Sequence, residues 1–123
     1  MIITREYLRS NPSHIFVFGD NLLRKGKGGA AELRDEPNAR GFITKKAPNN
    51  ETESFYHPAE YRGVFIKELY DLSWEIFDHP ERTYLISKLG AGLANRYKIW
   101  EIVIQPGLEK IRGFENVTFL WEV

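Results

Sequence analysis

Two short apolar runs, HIFVF at residues 14–18 and TYLIS at 83–87, each give way to a glycine-bearing turn, and this restricts the fold more than any other feature. A brief unbroken apolar run is what a strand covered on both faces requires, as in a parallel sheet layered between helices. After the first run and its glycines, GGAAELRDE carries helix formers up to a stop at Pro37, so the first unit reads strand, glycine loop, helix. RGFITKK at 40–46 supplies a second strand, and the turn formers of PNNETE lead into a long amphipathic segment. There Phe65, Leu69, Leu72 and Ile76 recur at helical spacing, flanked by Val64 and Phe77, with Pro58 near the first turn.

Beyond the second glycine turn, YKIWEIVIQPGLEKIRG suits a helix broken at Pro106 and Gly107. Interior proline costs about 3 kcal/mol, so a kink or two shorter helices is expected. NVTFLWEV closes the chain as a strand, and MIIT is a candidate edge strand. Strands and helices thus alternate, which predicts one α/β domain over residues 1–123, three layers deep (α/β/α), with a mainly parallel or mixed central sheet. A chain of 123 residues is long enough to hold one such core.

Seventeen basic residues balance seventeen acidic ones, which argues against a broadly basic nucleic-acid surface. The absence of cysteine removes disulfides, thiolate nucleophiles and cysteine metal sites, and fits a cytoplasmic protein. His14, His57 and His79 lack metal-ligand spacing, so neither a metal nor a cofactor is expected. The charges at Arg5, Glu6 and Arg9 make the first ten residues neither a signal peptide nor a spanning helix, and no membrane partner is expected.

Ligands of parallel sheets bind beyond the carboxyl ends of the strands, where both glycine turns emerge. Glycine lets backbone N–H groups approach an anion closely, so a phosphate is the natural guest. The first turn offers Gly19, Asp20, Asn21, Gly26, Lys27, Gly28, Gly29 and Ala30; the second offers Ser87, Gly90, Ala91, Gly92, Leu93 and Ala94. Two strand-to-helix turns whose glycines only relieve strain are the alternative. A P-loop is excluded because Lys27 is followed by Gly28, and the dinucleotide spacing is not met. Asp20 suits an adenine amino group, a ribose hydroxyl or a helix cap, and Asn21 suits a ribose hydroxyl or a turn.

Taken in order, GKGGAAELRDEPN, GFITKKAP, LISKLGAGLANRYKIWEIVIQPGLEKI and ENVTFLWEV resemble macrodomains, in the branch that contains terminal ADP-ribose protein glycohydrolase and the DNA ADP-ribosyl glycohydrolase antitoxins. Residues 14 to the end are also similar to small macro-like proteins of phages and bacteria with no assigned function. The resemblance implies a macrodomain-like fold binding ADP-ribose across the strand ends, with Gly26 to Ala30 on one side and Gly90 to Ala94 around the diphosphate. It assigns Lys45, at the Thr-Lys strand end, as a nucleophile toward the anomeric carbon. The position of the assisting acid falls on Ala94, which transfers no proton; the DNA-acting branch has glycine near there. Two activities fit these residues: release of ADP-ribose from a modified protein or nucleic acid, and nonenzymatic sequestering or sensing of a nucleotide. A protein-interaction domain with an unused cleft is the third reading. Lys45 must lose its proton to react, which calls for desolvation or nearby positive charge.

Overall fold

The computed structural model describes residues 2–123. Four strands, β1 (His14–Asn21), β2 (Ala39–Lys45), β3 (Thr83–Ile86) and β4 (Val117–Phe119), form one sheet in the order β2-β1-β3-β4. Every pairing is parallel, so all four carboxyl ends lie along the same edge. Side chains alternate across it. Ile15, Val17, Tyr84, Ile86 and Phe119 enter the larger core beneath helix α2 (Pro58–Asp78) and a helical stretch at 99–111. Leu85 and Phe16 face the other way, toward Leu8 of helix α1 (Arg5–Ser10), Leu33 and Leu120. The expected α/β class therefore holds, with a sheet that is parallel throughout.

Helix α2 buries Phe65, Leu69, Leu72 and Ile76, with Pro58 in its first turn and His57 as N-cap. It also seals an exposed edge. Strand β2 lies at the border of the sheet, where unpaired backbone groups would face outward. The Glu68 carboxylate accepts the Ile43 N–H at 2.7 Å, and the Tyr61 hydroxyl donates to the Ile43 carbonyl.

Three expectations are corrected. Ile2–Thr4 stays outside the sheet, and Thr4 instead caps α1 by accepting the Tyr7 N–H; Met1 lies outside the described residues. GGAAELRDE forms only a 3₁₀ turn at Gly29–Ala31 followed by successive turns. So short a segment does not repay helix nucleation, and Arg34 reaches back to the Gly26 carbonyl and Asp20, bending it. At the carboxyl terminus only Val117–Phe119 joins the sheet, because the chain then turns through Leu120–Glu122 and sinks Leu120 into the second core. The interruption at Pro106 takes a definite form. Residues 100–104 wind as a π-helix, α3 (Gln105–Leu108) as an α-helix and Glu109–Ile111 as a 3₁₀ turn, so the winding changes where proline has no N–H to donate.

Candidate functional site

The register of the strands creates a step in the sheet edge. Val17 of β1 lies opposite Ile86, the last residue of β3, while β1 and β2 continue to Asn21 and Lys45. The chain leaving β3 therefore folds across the flank of β1. Gly19 marks the closest approach: a Cβ there would stand 3.2 Å from Thr44 Oγ1 and 3.8 Å from the Gly90 amide nitrogen. Between the loops after β1, β2 and β3 lies an open cleft of about 480 Å³.

The first loop is held from within. Asp20 is buried, and Arg34 grips its carboxylate with both terminal guanidinium nitrogens while donating also to the carbonyls of Lys25 and Gly26. Gly41 on β2 makes this possible, since a Cβ there would overlap Asp20 Oδ2 at 2.3 Å. Asn21 donates from Nδ2 to the Lys25 carbonyl and accepts the Leu23 N–H. Both residues border the cleft, but their polar atoms are engaged by the loop itself; they shape it rather than present free acceptors to a base or sugar. Gly26 and Gly29 adopt positive φ, +90° and +52°, and Gly28 has open space where a side chain would lie. Gly28, Gly29 and Ala30 line the cleft, whereas Lys27 turns outward to Asp35 at 3.3 Å.

The second loop is pinned at its start. Both the amide and the hydroxyl of Ser87 donate to the Val17 carbonyl. Gly90 (φ +73°) must be glycine on two counts, because a Cβ would also press on Ile104 Cδ1 at 2.7 Å. Gly92, Leu93 and Ala94 line the cleft, with Leu93 exposed at its rim; Ala91 instead packs against the core. Among the described residues, the amides of Gly28, Gly29 and Ala30 and those of Gly92, Leu93 and Ala94 donate no backbone hydrogen bond. Two sets of donors thus border one cavity.

Lys45 closes the third side. Its Nζ donates to the Asn49 carbonyl at 2.8 Å and to Asn50 Oδ1 at 3.3 Å, and lies 4.9 Å from the centroid of Phe55. Burial lowers its pKa from the usual lysine value, the direction a nucleophilic amine needs. Lys46 points elsewhere, to Glu60 at 3.0 Å. The segment after β2 also meets the far loop, because Arg96 sits over Phe55 and Tyr97 stacks on His57 at 3.8 Å. Arg34 and Phe55 were not singled out by the sequence; a clamp between residues distant along the chain leaves no local pattern. Among the described residues no cluster of His, Asp or Glu suits a metal ion, and no helix is long and apolar enough to cross a membrane.

A family model for a family of unknown function (DUF7831) matches residues 1–95. The chain belongs to that family. The portion of the DUF7831 chain that matches includes every residue lining the cleft, the last of which is Ala94. No curated protein and no solved structure matches the chain.

Proposed function

We propose that this DUF7831 protein is a macrodomain-like binder of ADP-ribose or a related nucleotide, with the diphosphate in the cleft between the two glycine loops. One observation carries the reading: loops from two different strands line one open cavity at the carboxyl edge of a parallel sheet with residues whose amides donate no backbone hydrogen bond. That is the place and chemistry of an anion site in such sheets, and the cavity size suits a small-molecule ligand. A neighbouring groove of about 380 Å³ shares Gly29, Ala30, Ser87 and Lys88 with the cleft and is walled by Phe16 and Trp121. It receives the base by apolar contact, consistent with the engagement of Asp20 and Asn21 elsewhere.

Lys45 favours a second step. As the neutral amine it attacks the anomeric carbon of an ADP-ribosyl conjugate, the bond to the modified protein or nucleic acid breaks, the departing group takes a proton from water, since Ala94 offers none, and the hydroxide left behind takes the extra proton from the lysine nitrogen. Water then releases ADP-ribose from the lysine. In the nonenzymatic reading, favoured by the same Ala94, the conjugate binds and stays intact.

Thermal unfolding with ADP-ribose, ADP, pyrophosphate and ribose 5-phosphate tests the binding. Ligand at a hundred times its dissociation constant stabilises by about 2.7 kcal/mol, and the diphosphates are expected to act more strongly than the monophosphate. Gly28→Asp places a negative charge in open space at an unstrained backbone position and is expected to abolish the effect without unfolding the chain. No shift with any compound sinks the proposal. ADP-ribose release by the native chain but not by Lys45→Ala separates the hydrolase from the binder.

A further inference from the structure

Helix α2 carries a second apolar face that the fold does not use. Opposite the buried Phe65, Leu69, Leu72 and Ile76, the side chains of Ile66, Tyr70, Trp74 and Phe77 are each half or more exposed. Tyr70 meets Trp74 edge-on at 6.4 Å and Trp74 meets Phe77 at 5.8 Å, so the patch is continuous. Contiguous exposed apolar area on this scale marks a contact surface rather than scattered surface residues.

We propose that this face pairs with the same face of a second copy of the chain, the two α2 helices lying antiparallel about a two-fold axis at Tyr70. The spacing is symmetric. Gly63, Ile66, Tyr70, Trp74 and Phe77 follow at steps of three, four, four and three, so reversal about Tyr70 sets Ile66 against Trp74 and Gly63 against Phe77. Tyr70 meets its own copy, and the other pairs are reciprocal, as an isologous contact requires.

Gly63 supplies an independent observation. Glycine is the least favourable helix-interior residue after proline, and nothing inside the chain calls for it, since a Cβ there would meet no atom within 4 Å. A ring arriving from outside does call for it. The three aromatic rings and Ile66 together expose roughly 500 Å², so a pair buries roughly 1,000 Å², the lower bound for a specific interface.

Light scattering of the full chain across a concentration series is expected to show a monomer–dimer equilibrium. Trp74→Glu is expected to give a monomer with an unchanged melting curve. Gly63→Leu, which improves helix propensity, is expected to weaken association by roughly tenfold or more by blocking Phe77. Because the chain has no cysteine, Tyr70→Cys with a short bis-maleimide reports the axis directly and is expected to cross-link far faster than Glu53→Cys. A native chain monomeric at every concentration overturns the dimer. Unaltered association of Gly63→Leu, or equal cross-linking of the two cysteine variants, overturns the antiparallel register.

Discussion

Arg34 holds Asp20 in a two-armed grip, with Nη1 3.0 Å from Oδ2 and Nη2 2.5 Å from Oδ1, and the carboxylate it holds is almost wholly buried. The pair ties the turn before β2 to the end of β1, and Arg34 Nε and Nη2 extend the tie to the Gly26 and Lys25 carbonyls. Removing one member of such a pair strands a buried charge, which typically costs about 3–5 kcal/mol. Arg34→Met is expected to lose about that much, softened by Arg24 at 3.5 Å. Arg34→Met with Asp20→Asn is expected to lose less than the single change. Urea midpoints of the two variants check this; additive losses contradict a direct pair.

The edge of the sheet yields a second prediction. Ile43 has its N–H accepted by Glu68 and its carbonyl bonded by Tyr61, both buried side chains of α2. Burial, with the nearby Glu68 charge adding to it, drives the Tyr61 pKa far above the usual tyrosine value, so its hydroxyl remains a donor. Glu68→Ala leaves the Ile43 N–H without a partner and is expected to cost about 1–3 kcal/mol, whereas Glu68→Gln retains an acceptor oxygen and costs less. Amide exchange at Ile43, fast in the alanine variant and slow in the glutamine variant, is the readout.

These two clamps mark the boundary of what the sequence discloses. HIFVF and TYLIS announce their strands because burial on both faces leaves a short apolar run, RGFITKK shows its own more faintly through Phe42 and Ile43, and α2 announces itself by the spacing of Phe65, Leu69, Leu72 and Ile76. Once the strands are parallel, the glycine loops must emerge on one edge, so the meeting of Gly28 with Gly92 around one cavity was legible from local signals alone. The helix assigned to GGAAELRDE failed because a long-range contact, Arg34 on Asp20, overrides helix-forming side chains in so short a segment. α1 went unread because its six residues bury only Leu8 and rest on the Thr4 cap and on Asn38, whose amide donates to the Leu8 and His14 carbonyls. The same distance effect hid the ring of Phe55 beneath Lys45.

Acid is expected to loosen α1 first. Arg5 bonds Asp35 at 3.0 Å and Glu36 at 2.6 Å, and Arg9 bonds Glu36 at 3.0 Å, linking α1 to the turn before β2. The Arg5 hydrogen bond, aided by Lys27, brings the Asp35 pKa down to about 2, and the Arg9 hydrogen bond lowers that of Glu36 against opposing desolvation. Carboxylates depressed in the fold contribute stability above their unfolded pKa and lose it as pH falls toward the folded value. For Asp35 that window runs from 3.8 to about 2. Amide resonances of α1 followed by NMR are expected to shift or broaden within it, ahead of those of α2. Arg5→Ala is expected to move the change to higher pH; α1 and α2 resonances changing together contradict a local release.

Lys45 behaves in the opposite sense, because burial lowers its pKa below the ordinary 10.5. Between the lowered folded value and 10.5 the unfolded chain binds more protons at this site than the folded one, so the contribution of Lys45 to stability rises with pH across that window. The cost of a partly desolvated ammonium is present at lower pH and disappears as the amine becomes neutral. Relative to Lys45→Met, the native chain is expected to gain stability from neutral to alkaline pH in urea titrations. Its amine is also expected to react with an acylating reagent at lower pH than an ordinary lysine amine does. Bonds to the Asn49 carbonyl and Asn50 Oδ1 favour the charged form and act against this trend. Native stability that falls relative to Lys45→Met over the same range means that those bonds prevail over desolvation, and the case for Lys45 as a nucleophile falls with it.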